Sequence, residues 1–170
     1  MRGAEIAPGM GSVPRAGLTA NGPAHYASEN DTTKKGPPMK TRVETLTPPN
    51  TPKPIGPYSH IAKVGPYITI GGTAGFDPAT GQLAGADIRS QTLRILQSFK
   101  TMLEAVGSDL DHVVHVNVFL RDIGDFEAMN AAYVEMMGEH RPARTAFAVR
   151  DLPKPEVLLT MNLTAVTREG

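Results

Sequence analysis

Arg144 stands in the stretch Arg141-Pro-Ala-Arg-Thr-Ala-Phe-Ala-Val-Arg-Asp-Leu-Pro153, and its side chain can do one kind of chemistry well. A guanidinium is permanently charged, and its rigid fork of donors fits a carboxylate with two parallel hydrogen bonds. The residues that follow alternate as a strand does, Ala146, Ala148 and Arg150 against Thr145, Phe147 and Val149. A fixed arginine at a strand entrance is an anchor for a small carboxylate. The same spacing fits an ordinary surface charge equally well. Other chemistries find little here. The five histidines, at 25, 60, 112, 115 and 140, show no metal-ligand spacing. His112 and His115, three apart in a strand, point to opposite faces. No Gly-x-Ser-x-Gly elbow occurs, and Gly71-Gly72-Thr73-Ala74-Gly75 lacks the lysine and flanking helix of a phosphate loop. With no cysteine, disulfides, thiol catalysis and thiolate metal sites are excluded.

The elements that must position Arg144 are legible from Ile55 onward. Ile61 to Val64 and Tyr67 to Gly71 read as two short strands joined at the turn Gly65-Pro66. Asp77 to Gly81 reads as a loop. Asp87 is placed to cap a long helix ending at Gly107, whose stripe is Ile88, Thr92, Ile95, Leu96, Phe99, Met102, Leu103 and Val106. Val113 to Leu120 alternates as a strand. Asp125 is expected to cap a second helix carrying Phe126, Met129 and Tyr133 and stopped by Gly138. Arg144 to Arg150 and Val157 to Thr167 complete the set. The order β-β-α-β-α-β-β predicts an α+β layer, a mixed β-sheet with two helices on one face. The last strand reads as apolar on both sides, which invites a partner subunit onto the uncovered face.

The chain has 170 residues, which suits one domain with a tail, and its 17 basic residues balance 17 acidic ones. That balance, without a basic block, argues against nucleic acid as the partner. No window approaches the apolar length of a membrane span, and the first 40 residues show neither a secretory signal nor a transit peptide. A soluble cytoplasmic protein is expected. Residues 1–53 hold more than half of the fifteen prolines and show no useful period. They are expected to be a largely disordered extension ahead of a folded domain over 54–170. Met39 is a second candidate start, which mass spectrometry of the native protein would settle.

Five blocks carry a resemblance. Pro-Ala-Arg144-Thr followed by Leu-Pro-Lys154 resembles a signature of the RidA/YjgF family of reactive imine/enamine deaminases. Ile55-Gly-Pro-Tyr58-Ser is similar to that family's opening motif. Phe76 to Gly81, Val113 to Asp122 and Asp125 to Tyr133 match in order and spacing. The resemblance implies a chorismate-mutase-like layer, a homotrimer with sites in the clefts between subunits, and hydrolysis of small imine or enamine carboxylates, such as 2-aminoacrylate, to 2-keto acids and ammonia without a cofactor. It implies that Arg144 clamps the carboxylate and Tyr58 reaches the site from a loop. Gly71 and Gly72 would let backbone approach the ligand, and Asn130 would line the pocket. On the residues alone, Tyr58 is also a loop aromatic over the core, Gly71-Gly72 a strand-end bulge, and Asn130 a helix-surface amide. The chain departs from the family's pattern where a final-strand Glu is common, at Thr160, and two residues on, at Asn162. Ala146 replaces a frequent Cys, and Gly71 a usual Ser. Threonine orients water but is no general base at neutral pH. The alternative reading is therefore a non-catalytic trimer that binds or senses a small carboxylate.

Overall fold

The computed structural model describes residues 42–169. Residues 1–41, which include most of the expected extension and the candidate start at Met39, lie outside the described residues.

Among the described residues the eight strands and α-helices are β1 (Glu44–Leu46), β2 (Ile61–Val64), β3 (Tyr67–Thr73), α1 (Ile88–Glu104), β4 (Val113–Leu120), α2 (Phe126–Met137), β5 (Ala143–Ala148) and β6 (Leu159–Val166). The strands form one sheet in the order β1-β2-β3-β6-β4-β5. Every pairing is antiparallel except β4 with β5, which α2 connects in parallel. Both helices cover one face. Ile68 and Ile70 of β3, Met161 and Leu163 of β6, and Val116 and Val118 of β4 point to that side. There they meet Ile95, Phe99 and Leu103 of α1 and Met129 and Tyr133 of α2. Large side chains at helical and alternate-strand spacing thus build a single core, as the α+β reading requires.

Several details correct the sequence reading. The sheet begins before residue 54: β1 pairs with β2 in the register Thr45 to Ala62, and Thr51 and Pro52 are buried. Residues 42–53 therefore belong to the folded part. β5 ends at Ala148 rather than Arg150, and β6 starts at Leu159. Asp87 does cap α1, accepting from the Ser90 backbone N–H at 2.8 Å. Asp125 makes no such bond; it closes a short 3-10 turn, Ile123–Asp125, whose capping side chain is Asp122. The uncovered face of β6 is mostly polar, with Thr160, Asn162, Thr164 and then Val166 alternating against the buried Leu159, Met161, Leu163 and Ala165. Asn162 meets Asn117 of β4 in a 2.8 Å hydrogen bond on that face, and Phe119 and Phe147 pack edge-to-face beside it. No described helix is long and apolar enough to cross a membrane.

Candidate functional site

Register divides the candidate residues between two cavities. Tyr58, Gly71, Gly72 and Thr160 line a concavity of about 430 Å³ at the β3–β6 side of the sheet, with Pro52, Lys53, Ile55, His60, Phe76, Lys154 and Val157 around them. Asn130 and Arg144 line another, of about 380 Å³, with Tyr133, Val134, Arg141 and Pro142. β5 is the edge strand beyond β4, so two strands separate Arg144 from β3. Ala146 lines neither cavity: it pairs with Val118 and packs on the core.

Backbone and loops make the first cavity. β3 slips register between Ile70 and Thr73, and the two glycines occupy that bulge. A Cβ built on Gly72 would meet nothing within 4 Å, and one on Gly71 only the His60 carbonyl at 3.8 Å. The glycines therefore leave space that a side chain would occupy. Gly75 serves a different purpose. Its Cβ would lie 2.8 Å from Gln91 Cα, so it lets the β3–α1 connection run tight against the helix.

Two buried polar side chains fix the walls. His60 is 2 % exposed. Its Nε2 lies 2.5 Å from the Pro52 carbonyl, which only accepts, so Nε2 carries the hydrogen. Its backbone N–H donates to Thr47 Oγ1, its carbonyl accepts from Gly71 N–H, and its ring meets Tyr58 edge-to-face at 5.7 Å. His60 thus ties the loop that carries Tyr58 to the bulge that carries the glycines. Gln91, fully buried on α1, donates to the Gly85 and Glu156 carbonyls and accepts from Leu158 N–H, which anchors the approach to Thr160. Neither role was legible: an isolated His in a loop and a Gln on a helix carry no pattern. At the rim the Lys154 ammonium sits 5.1 Å from the Phe76 ring centre. No carboxylate lines this cavity.

The second cavity is built of side chains. The Arg144 guanidinium lies over the Tyr133 ring at 4.8 Å and 5.9 Å from Phe126, both on α2. Such cation–π contacts orient the fork without neutralising it. Among the described residues no ion pair involves Arg144. Burial raises the Tyr133 phenol above its usual range, although the charges of Arg144 and Arg141 oppose this. The sequence placed Tyr133 only in the α2 core stripe; its spacing gave no sign that its ring also seats Arg144.

The family model described as Endoribonuclease L-PSP matches residues 48–167. A RutC family protein of Pyrococcus abyssi is 44 % identical over 122 residues, 72 % of this chain and 95 % of its own. The human 2-iminobutanoate/2-iminopropanoate deaminase is 38 % identical over 61 % of this chain and 75 % of its own. The crystal structure of E. coli TdcF with bound serine superposes with a TM-score of 0.68 at 28 % identity, covering 72 % of this chain and 98 % of that one.

Proposed function

This chain belongs to the RidA/YjgF family, and from that premise we propose that it hydrolyses small reactive imine or enamine carboxylates to 2-keto acids and ammonia, at a site shared between copies of a homotrimer. The observation that carries the reading is Arg144: a guanidinium seated on two aromatic rings, with no carboxylate paired to it among the described residues. The human relative's name gives the reaction class, and the serine on TdcF is a small amino carboxylate of the same size. Within one chain the Arg144 wall and the Tyr58 wall are separate, and a cyclic assembly brings unlike edges of neighbouring copies together.

The chemistry asks for orientation more than activation. An enamine takes a proton at its β-carbon and becomes an iminium. Water then adds to the iminium carbon, one of its protons passes to nitrogen, and the C–N bond breaks as the hydroxyl releases the other, which replaces the proton taken at carbon and leaves the keto acid and ammonia. Arg144 clamps the carboxylate and draws electron density from the adjacent carbon. Tyr58, 41 % exposed, closes over the bound molecule from the other wall. Thr160 and the backbone at Gly72 orient the attacking water, a positional contribution.

A second reading has its own support. The Tyr58 cavity has Thr160 and no carboxylate, so no carboxylate there takes a proton from water, and the buried His60 ring is already committed through Nε2 to the Pro52 carbonyl. A trimer that binds a small carboxylate without turning it over fits that composition. The two readings part in a coupled assay in which a pyridoxal-phosphate dehydratase generates 2-imino acids from Ser and Thr. Wild type is expected to speed keto-acid release, and Arg144→Ala to lose about 100-fold in kcat/KM, in line with the roughly 1.5–3 kcal/mol of each charge-assisted hydrogen bond. Binding of a carboxylate without acceleration would favour the binder.

A further inference from the structure

Tyr133 is 4 % exposed, and its hydroxyl is buried with no hydrogen-bond partner among the described residues. Asn130, one turn earlier on the same face of α2, leaves its Oδ1 buried and equally unpartnered. Both residues line the Arg144 cavity. Buried polar atoms are almost always satisfied, so two orphans on one wall call for an explanation. A ligand supplies one. The cavity offers donors in the Arg144 guanidinium and the Tyr133 hydroxyl, and an acceptor in Asn130 Oδ1.

We propose that Tyr133 is a second carboxylate-binding residue, donating its hydroxyl to the carboxylate that Arg144 clamps, while Asn130 Oδ1 accepts from an N–H on the adjacent carbon. The inference rests on the reading of Arg144 as the carboxylate clamp and adds to it a second donor to the carboxylate and an acceptor for the 2-nitrogen of the same ligands. The raised phenol keeps its proton at neutral pH and remains a donor. Its ring face, beneath the guanidinium, holds the fork in place for the same ligand. One side chain thus both binds and positions.

The test is calorimetric titration of the full chain with 2-oxobutanoate and, separately, L-serine, beside thermal unfolding of each ligand-free variant. Tyr133→Phe keeps the ring and removes a hydroxyl that satisfies nothing in the free protein. Its Tm is expected to hold or rise while Kd for both probes rises about tenfold, or about 1.4 kcal/mol. Tyr133→Leu, which also removes the seat of Arg144, should approach the loss seen in Arg144→Ala. Asn130→Leu should weaken serine more than 2-oxobutanoate. Tyr133→Phe that binds as wild type, while Arg144→Ala does not, overturns this inference and leaves the clamp intact. Arg144→Ala that binds as wild type overturns the clamp itself, and wild type that binds neither probe overturns both. Equal effects of Asn130→Leu on the two probes remove the nitrogen acceptor from the proposal.

Discussion

The two cavities that hold the candidate residues are built by opposite means. Around Tyr58 the wall is main chain: a bulge of two glycines, a proline-rich loop tied down by His60, and a strand entry tied down by Gln91. Around Arg144 the wall is side chain: a charged fork on two aromatic rings, with a phenol and an amide beneath it. The first offers shape and room, and the second offers charge and donors. Recognition of a small anion needs both. Under the proposed function, binding free energy would come from the charged wall, and discrimination by size from the wall that leaves space. Substitutions should therefore act differently on the two sides.

The largest expected effect comes from separating the walls. Arg144→Ala removes the charge, and Gly72→Val fills the room without meeting any neighbour within 4 Å of its Cβ. Each variant alone should be nearly inactive in the imine assay. Dissociated, mixed at equal amounts and reassembled, they should regain about a quarter of the wild-type activity, since an intact site needs the unaltered wall from each of two copies. No recovery from hybrids confirmed by native mass spectrometry would show that the walls do not cooperate across subunits.

The next effect is smaller and separates binding from folding within one wall. Gly72→Ala is expected to leave Tm unchanged and to weaken 2-oxobutanoate binding several-fold, because the added methyl projects into free space. Gly75→Ala, whose methyl would press on the α1 backbone at Gln91, should lose about 1–3 kcal/mol of stability in a denaturant titration. If Gly72→Ala lowers Tm as Gly75→Ala does, the bulge is a folding device rather than ligand room.

What the sequence disclosed follows the same division. Periodicity revealed α1 with its Asp87 cap, the alternation of β4, and Arg144 at a strand entrance, because each rests on a local repeat. It missed β1, a three-residue edge strand in a proline-rich stretch too short to show a period. It placed the α2 N-cap at Asp125 correctly but not the absence of a capping bond there, because a 3-10 turn with its own cap at Asp122 runs directly into the helix. It placed Tyr133 in the core stripe, which is correct for the ring and silent about the hydroxyl. The separation of Arg144 from Tyr58 was out of reach, since it depends on β6 inserting between β3 and β4. Local pattern specifies elements; strand order decides which of them share a cavity.

The smallest effect lies outside the lining of both cavities and serves as their control. Asp109 accepts from His112 Nδ1 at 2.6 Å and from Arg168 Nε at 2.7 Å, joining the turn before β4 to the chain end after β6. The bond to His112, with the further contribution of Arg168, lowers its carboxyl from 3.8 to about 2. A carboxyl with a lowered folded-state pKa adds stability at pH values above its unfolded value, and that contribution fades as pH falls from about 4 toward 2. Asp109→Asn should therefore lower Tm modestly at pH 6 and flatten its decline between pH 4 and 2, with ligand affinity at neutral pH untouched. A change in 2-oxobutanoate affinity in this variant would mean that the sheet end and the cavities are coupled, and that the contrast between the two walls is not a local one.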